Sequence, residues 1–308
     1  MVFNLSLDAI LQKTHYFCSC MNIYQNLCRH LVPLYDLREA QAIVRTVLET
    51  RYGFTLTDIV CGEVDRLSVS EQEQLSELVR RLATGEPVQY VLGQSEFCGF
   101  SFHVEPGVLI PRPETEELCR WIISDCSSPS LLSSSEFSHR VLDVCTGSGC
   151  IAVTLALSIV GSKVEAWDLS PEALHVAQEN VHRLEADNVK LVKCDALHLQ
   201  PESGRWDVIV SNPPYICDSE RAQMEPNVLE HEPSMALFVP DSDPLLFYRA
   251  IARYAAQSLV PNGSLYFEIN PLYVAEMEQM LRTEGFTCIE TRQDSYGKKR
   301  MMKAVYYL

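Results

Sequence analysis

The sequence predicts an α/β protein in which a small all-α bundle and a β-hairpin linker precede a mostly parallel, seven-stranded sheet covered by helices. Three observations support this fold class. Residues 21–84 place apolar side chains at helical spacing, residues 85–110 are rich in glycine, proline and β-branched residues, and from residue 140 onward β-branched stretches alternate with helical ones. A chain of 308 residues is long enough for two domains. We therefore expect an extension at 1–20, a helical domain at 21–84, a hairpin linker at 85–110 and a larger domain at 111–308.

The N-terminal block contains no pattern of residues that is typical of a catalytic site. Residues 36–50 repeat apolar side chains at helical spacing, and Ser70 with Glu73 matches the capping box that opens a helix. Residues 1–20 contain Asp8 and a single lysine, which is unlike a transit peptide. We interpret residues 1–20 as an accessory extension and the helices after them as a unit with a positioning role.

The larger domain begins with a helix and then alternates strands with helices. Pro113 opens the first helix, which is expected to end near residue 126, and a serine-rich surface loop is expected at 127–138. Ser170 and Pro171 are the expected N-cap and first residue of a later helix. The predicted strands are 140–145, 163–168, 189–193, 206–210, 263–268, 286–292 and 302–307, and the predicted helices among them are 150–160, 171–184, 244–259 and 273–284.

The charge and the cysteine content exclude several classes of function for this protein. The chain has 25 Lys and Arg residues against 41 Asp and Glu, so its formal net charge of −16 disfavours direct binding of nucleic acid. None of the 12 cysteines falls in a C-x-x-C pair, and we expect reduced cysteines and no metal site. No apolar run reaches the roughly 20 residues of a membrane span. We therefore expect a cytoplasmic protein that does not bind a membrane, and we take it to be a monomer.

A glycine-containing turn follows the first predicted strand of the sheet. That strand leads into the stretch Cys145-Thr146-Gly147-Ser148-Gly149. Gly147 and Gly149 have no Cβ atom, so a ligand can approach the backbone closely where the next helix begins. The turn is neither a G-x-G-x-x-G dinucleotide fingerprint nor a G-K-[ST] phosphate loop.

Polar residues also follow the next three strands. Asp168 ends the second strand, where a carboxylate is placed to accept both hydroxyls of a ribose. Asp195 and Ala196 follow the third strand, where an adenine amino group can donate to the carboxylate, and Asn212 follows the fourth. The carboxyl ends of parallel strands share one edge of a sheet. Together these residues indicate a nucleoside cofactor without phosphates, namely S-adenosylmethionine.

The fourth strand is followed by the stretch Ser211-Asn212-Pro213-Pro214-Tyr215. Prolines cannot donate to a sheet ladder, and two in succession fix the backbone in one shape. The Asn212 side-chain oxygen and the Pro213 carbonyl can then accept both N–H groups of a planar NH2 substrate. Tyr215, expected to be exposed, can stack on the face of that group. The motif predicts methylation of an amide or of an adenine amino group, with Asn212, Pro213 and Tyr215 as catalytic residues and Pro214 beside them in the substrate site.

Several blocks between about residue 85 and residue 300 resemble the peptide-chain release factor N5-glutamine methyltransferases, the HemK family. The blocks are GEPVQYVLGQSEF, VLIPRPETEEL, VLDVCTGSGCIAVTLA, SPEAL, VSNPPY, EPSMAL and YGKKRM. The resemblance implies a Rossmann-like domain that uses S-adenosylmethionine and forms S-adenosyl-L-homocysteine. It also implies that the N-terminal helices recognise the substrate protein. Arg112 and Glu116 would lie near the substrate entrance, and a salt bridge between them at the helix start is an equal alternative.

The resemblance implies that the substrate is the glutamine of the Gly-Gly-Gln motif in class 1 release factors. Three alternatives stay open, which are a glutamine methyltransferase of a ribosomal protein, an adenine-N6 methyltransferase of nucleic acid, and a non-catalytic partner protein that binds S-adenosylmethionine. The acidic charge and the helical N-terminal block disfavour nucleic acid. The intact N-P-P-Y motif disfavours a non-catalytic role.

The chain departs from the family pattern in two places. Cys145 stands where the family usually has glycine, so this backbone position must tolerate a side chain. The glycine-containing turn that commonly follows Ala-Leu in the family is replaced by residues 238–244. We expect both changes to affect cofactor binding or loop motion rather than the reacting centre.

Overall fold

A computed structural model of the protein describes residues 22–127 and 139–307. The chain divides into two compact units, and the division falls between Leu92 and Gly93, inside the segment predicted as a linker. The predicted extension at 1–20 and residues 128–138 of the predicted serine-rich loop lie outside the described residues. No helix in the two described ranges is long and apolar enough to span a membrane.

The first unit consists of helices around one apolar core. Its helices are α1 (Ile23–Leu31), α2 (Leu37–Tyr52), α3 (Leu56–Val60), α4 (Val69–Leu82) and α5 (Val88–Leu92), with a 3-10 turn at Glu63–Arg66. The core side chains of α2 recur at helical spacing, and Ala40, Val44, Val47 and Leu48 are fully buried. Asp36 caps α2 because its carboxylate accepts two backbone N–H groups of the first turn.

Helix α4 begins two residues earlier than the sequence pattern predicted. Its capping box is Ser68 with Glu71, in which the hydroxyl accepts the Glu71 N–H at 3.3 Å and the carboxylate accepts the Ser68 N–H at 2.8 Å. The predicted box of Ser70 with Glu73 is therefore wrong. An N-cap needs extended backbone, which Ser68 has with φ −60° and ψ 159°, whereas Ser70 already lies inside the helix.

The hairpin that opens the second unit is shorter than the segment assigned to it. Strands β1 (Gln94–Phe97) and β2 (Phe100–His103) pair antiparallel. Cys98 and Gly99 form the turn with φ values of 50° and 81°, the positive values that a two-residue hairpin turn of the I′ type requires. Residues 88–92, which the sequence assigned to the hairpin linker, form helix α5 instead.

The second unit contains the seven-stranded, mostly parallel sheet that the sequence predicted. Its strands after the hairpin are β3 (Arg140–Val144), β4 (Lys163–Asp168), β5 (Val189–Lys193), β6 (Trp206–Ser211), β7 (Ile216–Cys217), β8 (Phe238–Val239), β9 (Leu259–Glu268), β10 (Phe286–Gln293) and β11 (Lys299–Tyr306). The large sheet has the order β10-β11-β9-β6-β3-β4-β5, and β7 pairs separately with β8. Strands β5, β4, β3, β6 and β9 run parallel, while β11 is antiparallel to both its neighbours. The carboxyl ends of β3, β4, β5 and β6 therefore lie at one edge.

Helices cover both faces of this sheet. Those of the second unit are α6 (Pro113–Cys126), α7 (Cys150–Ser158), α8 (Pro171–Arg183), α9 (Pro226–His231), α10 (Ser234–Leu237), α11 (Leu246–Ser258) and α12 (Val274–Thr283). Side chains of α6, α7 and α8 share one apolar core with Val141 of β3, and those of α11 and α12 share another with Leu142 and Val144. This alternation along β3 is the one a strand covered on both faces requires. Ser170 caps α8 ahead of Pro171, as predicted.

Candidate active site

A cavity opens at the carboxyl ends of β3, β4, β5 and β6. Its empty space, including the open mouth, is about 970 Å³. Apart from Gly149, every residue predicted to bind the cofactor lines it, namely Cys145, Thr146, Gly147, Ser148, Asp168, Asp195, Ala196 and Asn212. Of the other residues predicted to bind substrate, Arg112 and Pro214 line the cavity, and Glu116, Pro213 and Tyr215 do not.

The turn after β3 contains three residues in the left-handed region. Cys145, Gly147 and Gly149 have φ values of 63°, 55° and 80°. A Cβ atom on Gly147 would meet no atom within 4 Å, so this glycine leaves open space in the cavity wall. A Cβ atom on Gly149 would lie 3.1 Å from the Cβ of Ala177, so this glycine lets α7 pack against α8. Gly147 therefore leaves space for a ligand, and Gly149 allows two helices to pack closely.

Cys145 occupies a backbone position that suits glycine. A side chain in the left-handed region costs roughly 1–2 kcal/mol, which gives a physical reason for glycine at this place in the family pattern. The Cys145 side chain is half-buried, packs against the core beneath α11 and lines the cavity. Burial raises the pKa of its thiol well above the ordinary value, and the Asp168 carboxylate adds to the rise. The thiol is therefore protonated at neutral pH.

Asp168 connects the end of β4 to the glycine turn. Its Oδ2 accepts the Gly147 N–H at 2.9 Å, and its Oδ1 accepts the Ser170 N–H at 2.9 Å. Burial raises the pKa of Asp168, and these two N–H groups oppose the rise. Each oxygen accepts one of these N–H groups, so each keeps a lone pair free of them for a ligand in the cavity.

Asp195 is more exposed than Asp168 and is held by its own loop. Its Oδ1 accepts the Leu197 N–H at 2.9 Å, and its Oδ2 lies 2.7 Å from Nδ1 of His198. These hydrogen bonds, the Leu197 N–H foremost, lower the pKa of Asp195, so its side chain is an ionised acceptor. Across residues 22–127 and 139–307, no three His, Cys, Asp or Glu side chains are grouped so that they could hold a metal ion.

Asn212 reaches the cavity directly after β6 and is backed by two buried side chains. Its Nδ2 lies 3.3 Å from Oγ1 of Thr115, whose hydroxyl donates to Oε2 of Glu268 at 2.5 Å. Thr115 and Glu268 are 3% and 2% exposed. Burial raises the pKa of Glu268, and the hydroxyls of Thr115 and Tyr215 oppose that rise. The amide group of Asn212 is thus connected through a hydroxyl to a buried carboxyl group.

Tyr215 is half-buried, so the expectation of an exposed ring is wrong. Its hydroxyl donates to Oε1 of Glu268 at 3.0 Å, and its ring packs against the core beneath α11. Its backbone is held as well, because its N–H donates to the Leu237 carbonyl at 3.2 Å and its carbonyl accepts from Asn270 at 3.1 Å. Pro213 and Pro214 before it are both buried. The sequence could not show that the ring has a buried hydrogen-bond acceptor on the adjacent strand.

Arg112 and Glu116 do not pair with each other. Arg112 pairs with Glu232, whose side chain is 1% exposed, and Glu116 pairs with Arg120 one helical turn further along α6. The alternative of a salt bridge between Arg112 and Glu116 is therefore wrong. Arg112 is the N-cap of α6 with extended backbone, φ −108° and ψ 148°, so it lacks the helical i,i+4 geometry that Arg120 has.

Sequence reasoning missed three residues that support the site, Thr115, Glu232 and Glu268. Two of them lie inside the motif blocks of the sequence, Thr115 in VLIPRPETEEL and Glu232 at the start of EPSMAL. Glu268 ends an apolar strand, and a carboxylate that directly follows three apolar or aromatic residues indicates a buried acid. Its partners could not be deduced from that sign.

Comparisons with known proteins show which family this chain is similar to. A family model described as Methyltransferase small domain matches residues 124–231, and one described as PrmC N-terminal domain matches residues 34–93. A release factor glutamine methyltransferase of Bacteroides thetaiotaomicron is 41% identical over 89% of this chain and 95% of that protein. One of Flavobacterium psychrophilum is 38% identical over 89% of this chain and 94% of that protein. The solved release factor-specific protein-(glutamine-N5) methyltransferase of Alicyclobacillus acidocaldarius is 28% identical, with a TM-score of 0.39 over 67% of this chain and 100% of that one.

Proposed function

This chain belongs to the release factor glutamine methyltransferases, and we propose that it transfers the methyl group of S-adenosylmethionine to the side-chain N5 of the Gly-Gly-Gln glutamine in class 1 release factors. The single observation that carries the proposal is the arrangement at the cavity. Residues 145–148 of the glycine turn, Asp168 and Asn212 come from three different strand ends and surround one space. A nucleoside binds beside the first two, which leaves Asn212 for the group that is methylated.

The residues of the cavity fit S-adenosylmethionine. Gly147 leaves room for a ligand against the backbone, since a Cβ atom there would meet nothing within 4 Å. Each oxygen of Asp168 keeps a lone pair for the ribose hydroxyls after accepting one backbone N–H. Asp195, with its lowered pKa, is an ionised acceptor for the adenine amino group. These donors and acceptors match a nucleoside without phosphates.

The chemistry assigned to N-P-P-Y concerns the amide of the substrate glutamine. S-adenosylmethionine supplies a methyl group that its sulfonium already activates. The amide nitrogen is a poor nucleophile because its lone pair is delocalised into the carbonyl. Asn212 Oδ1 accepts one N–H and the Pro213 carbonyl accepts the other, which fixes the NH2 group and stabilises positive charge on nitrogen. Pro213 and Pro214 are buried, so the accepting carbonyl is held rigidly.

We assign recognition of the release factor to the first unit. The match of residues 34–93 to the PrmC N-terminal domain supports this assignment. Helix α3 also exposes two apolar side chains, Leu56 at 55% and Val60 at 77%, which are four residues apart and so lie on one side of the helix. Replacing both with serine in the full chain should raise KM for the release factor and leave the affinity for S-adenosylmethionine unchanged. An unchanged KM would remove this helix from the recognition surface.

The substrate is tested by methyl transfer from labelled S-adenosylmethionine to separate acceptors. We expect label in a class 1 release factor and none in the same factor with its Gly-Gly-Gln glutamine replaced by asparagine. A ribosomal protein mixture, DNA and RNA are offered in parallel. Label in one of those alone would identify the alternative substrate and overturn the proposal. Binding of S-adenosylmethionine without transfer to any acceptor would favour a non-catalytic partner protein.

A further inference from the structure

Three polar side chains form a continuous path from the cavity into the protein interior. Asn212 and Thr115 both line the cavity and Glu268 lies behind Thr115, with separations of 3.3 Å between Asn212 Nδ2 and Thr115 Oγ1 and 2.5 Å between Thr115 Oγ1 and Glu268 Oε2. Thr115 and Glu268 are nearly fully buried. They come from α6 and from the end of β9, so the path joins three separate elements of the second unit. None of the motif functions assigned above uses Thr115 or Glu268.

The position of each proton along this path follows from the number of donors that each side chain has. Glu268 receives two hydroxyls, because Thr115 donates to Oε2 and Tyr215 donates to Oε1. A threonine hydroxyl has one proton, and here it is committed to the carboxyl group. Only lone pairs of Oγ1 are then left to face Asn212. With both hydroxyls donating to Glu268, Asn212 turns its NH2 group, and not its oxygen, toward Thr115.

We infer that Thr115 and Glu268 are positioning residues that fix the side-chain amide of Asn212 with Oδ1 toward the substrate. The inference rests on the proposed function, in which Oδ1 accepts an N–H of the methylated amide. The terminal torsion of asparagine is broad and two-fold, so an unsupported amide can present either end. With the amide reversed, the NH2 of Asn212 would face the NH2 of the substrate, and two donors cannot form a hydrogen bond.

A comparison of Thr115→Val with Thr115→Ser tests whether the Thr115 hydroxyl positions the amide of Asn212. Valine keeps the branched shape and removes the hydroxyl, whereas serine keeps the hydroxyl that links Asn212 to Glu268. Tyr248→Phe is the matched control. The Tyr248 hydroxyl is equally buried and donates to the backbone oxygen of Glu268 at 3.0 Å, outside the path to Asn212. Each variant is checked first by thermal unfolding, so that a loss of fold is distinguished from a loss of positioning.

The first measurement needs neither cofactor nor activity. The side-chain NH2 of Asn212 is followed by nitrogen-15 NMR in the protein without S-adenosylmethionine, with its resonance assigned by its absence in Asn212→Ala. We expect slow proton exchange in the parental protein, in Thr115→Ser and in Tyr248→Phe, and faster exchange in Thr115→Val. Equal exchange in Thr115→Val and the parental protein would overturn the inference, whatever the substrate proves to be.

The second measurement is single-turnover methylation of the release factor. Thr115→Val should lower the rate of transfer about tenfold to a hundredfold, the range in which a misplaced group reduces catalysis. KM for the release factor should change little, and Thr115→Ser should recover most of the rate. A parental rate in Thr115→Val would also overturn the inference. If the parental protein itself methylates no release factor, the proposed function fails, and the exchange measurement still decides the positioning role.

Discussion

Arg112 and Glu232 form an ion pair although 120 residues separate them in the sequence. The Glu232 side chain is 1% exposed and also accepts the Ile110 N–H at 3.2 Å. Arg112, Ile110 and Pro233 all line the cavity. The pair therefore ties the segment before α6 to the segment before α10 at the place where the cofactor is proposed to bind.

Arg112→Ala should destabilise the protein, because it leaves the Glu232 carboxylate buried without its cation. Loss of one partner from a fully buried pair costs about 3–5 kcal/mol, and since the Arg112 side chain is 34% exposed we expect a smaller loss, about 1–3 kcal/mol. Denaturant unfolding measures the change. Arg120→Ala is the control, since the Arg120 side chain is 61% exposed and its pair with Glu116 on α6 should contribute under about 0.5 kcal/mol. Equal losses in the two variants would contradict the structural importance of the Arg112 pair.

Asp168→Ala should weaken binding of S-adenosylmethionine by about 2–4 kcal/mol, because two charge-assisted hydrogen bonds to the ribose are lost. The glycine turn should also loosen, since the Asp168 carboxylate accepts the Gly147 N–H. Calorimetric titration with S-adenosylmethionine and with S-adenosyl-L-homocysteine measures the affinity. Asp168→Asn keeps one acceptor and should lose less. An unchanged affinity in Asp168→Ala would show that the ribose binds elsewhere.

Cys145→Gly should be more stable than Cys145→Ala by about 1 kcal/mol. Both changes remove the thiol, but alanine keeps the Cβ atom at φ +63° and glycine does not. The comparison therefore isolates the backbone strain from the loss of side-chain packing. The free energy of unfolding, measured by denaturant titration, tests it. Alanine equal to or better than glycine would mean that this turn relaxes around a side chain.

Asn212→Ala should lower kcat on the order of 10²–10³-fold, the loss that follows removal of one group that stabilises developing charge. The affinity for S-adenosylmethionine should change far less, because Asn212 Oδ1 is assigned to the substrate amide. Its hydrogen bond to the substrate N–H becomes stronger only as positive charge forms on the nitrogen. Single-turnover methylation of the release factor, with calorimetry alongside, separates the two effects. Transfer at the parental rate would rule out the role given to N-P-P-Y.

The stability of the protein should depend on the protonation of Asp143. Burial raises the pKa of this fully buried carboxyl group to about 7, although the Thr146 hydroxyl opposes the rise. The folded state thus keeps a proton that the unfolded state releases near pH 4. The free energy of unfolding should fall, through this group, as pH rises from about 4 to 7, by at most about 1.4 kcal/mol per pH unit, and should level off above pH 7.

Asp143→Asn removes this titration. The stability of the variant relative to the parental protein should therefore increase between pH 5 and pH 7 and stay constant above. Urea unfolding across this range measures the difference. A difference that is the same at pH 5 and pH 8 would show that Asp143 is already ionised in the folded protein at pH 5.

The sequence alone determined the fold class and the strand ends at which the site lies. In a sheet whose strands alternate with helices, the chain order of the strands and their parallel direction place their carboxyl ends at one edge. For this reason the sequence alone predicts that the glycine turn, Asp168, Asp195 and Asn212 lie together. The helix start at Ser170 and Pro171 was equally predictable, because capping depends on neighbours within one turn.

Only the tertiary structure decided how the site is supported. Asn212 meets Thr115 across 97 residues of sequence, and Thr115 meets Glu268 across 153. Such partners are selected by the packing of α6 against the end of the sheet, and no local pattern records which of many buried polar groups will come into contact. The same limit explains the buried hydroxyl of Tyr215. It also explains why Arg112 pairs with Glu232 and not with Glu116, because the nearly fully buried Glu232 carboxylate needs a cation more than the half-buried Glu116 carboxylate does.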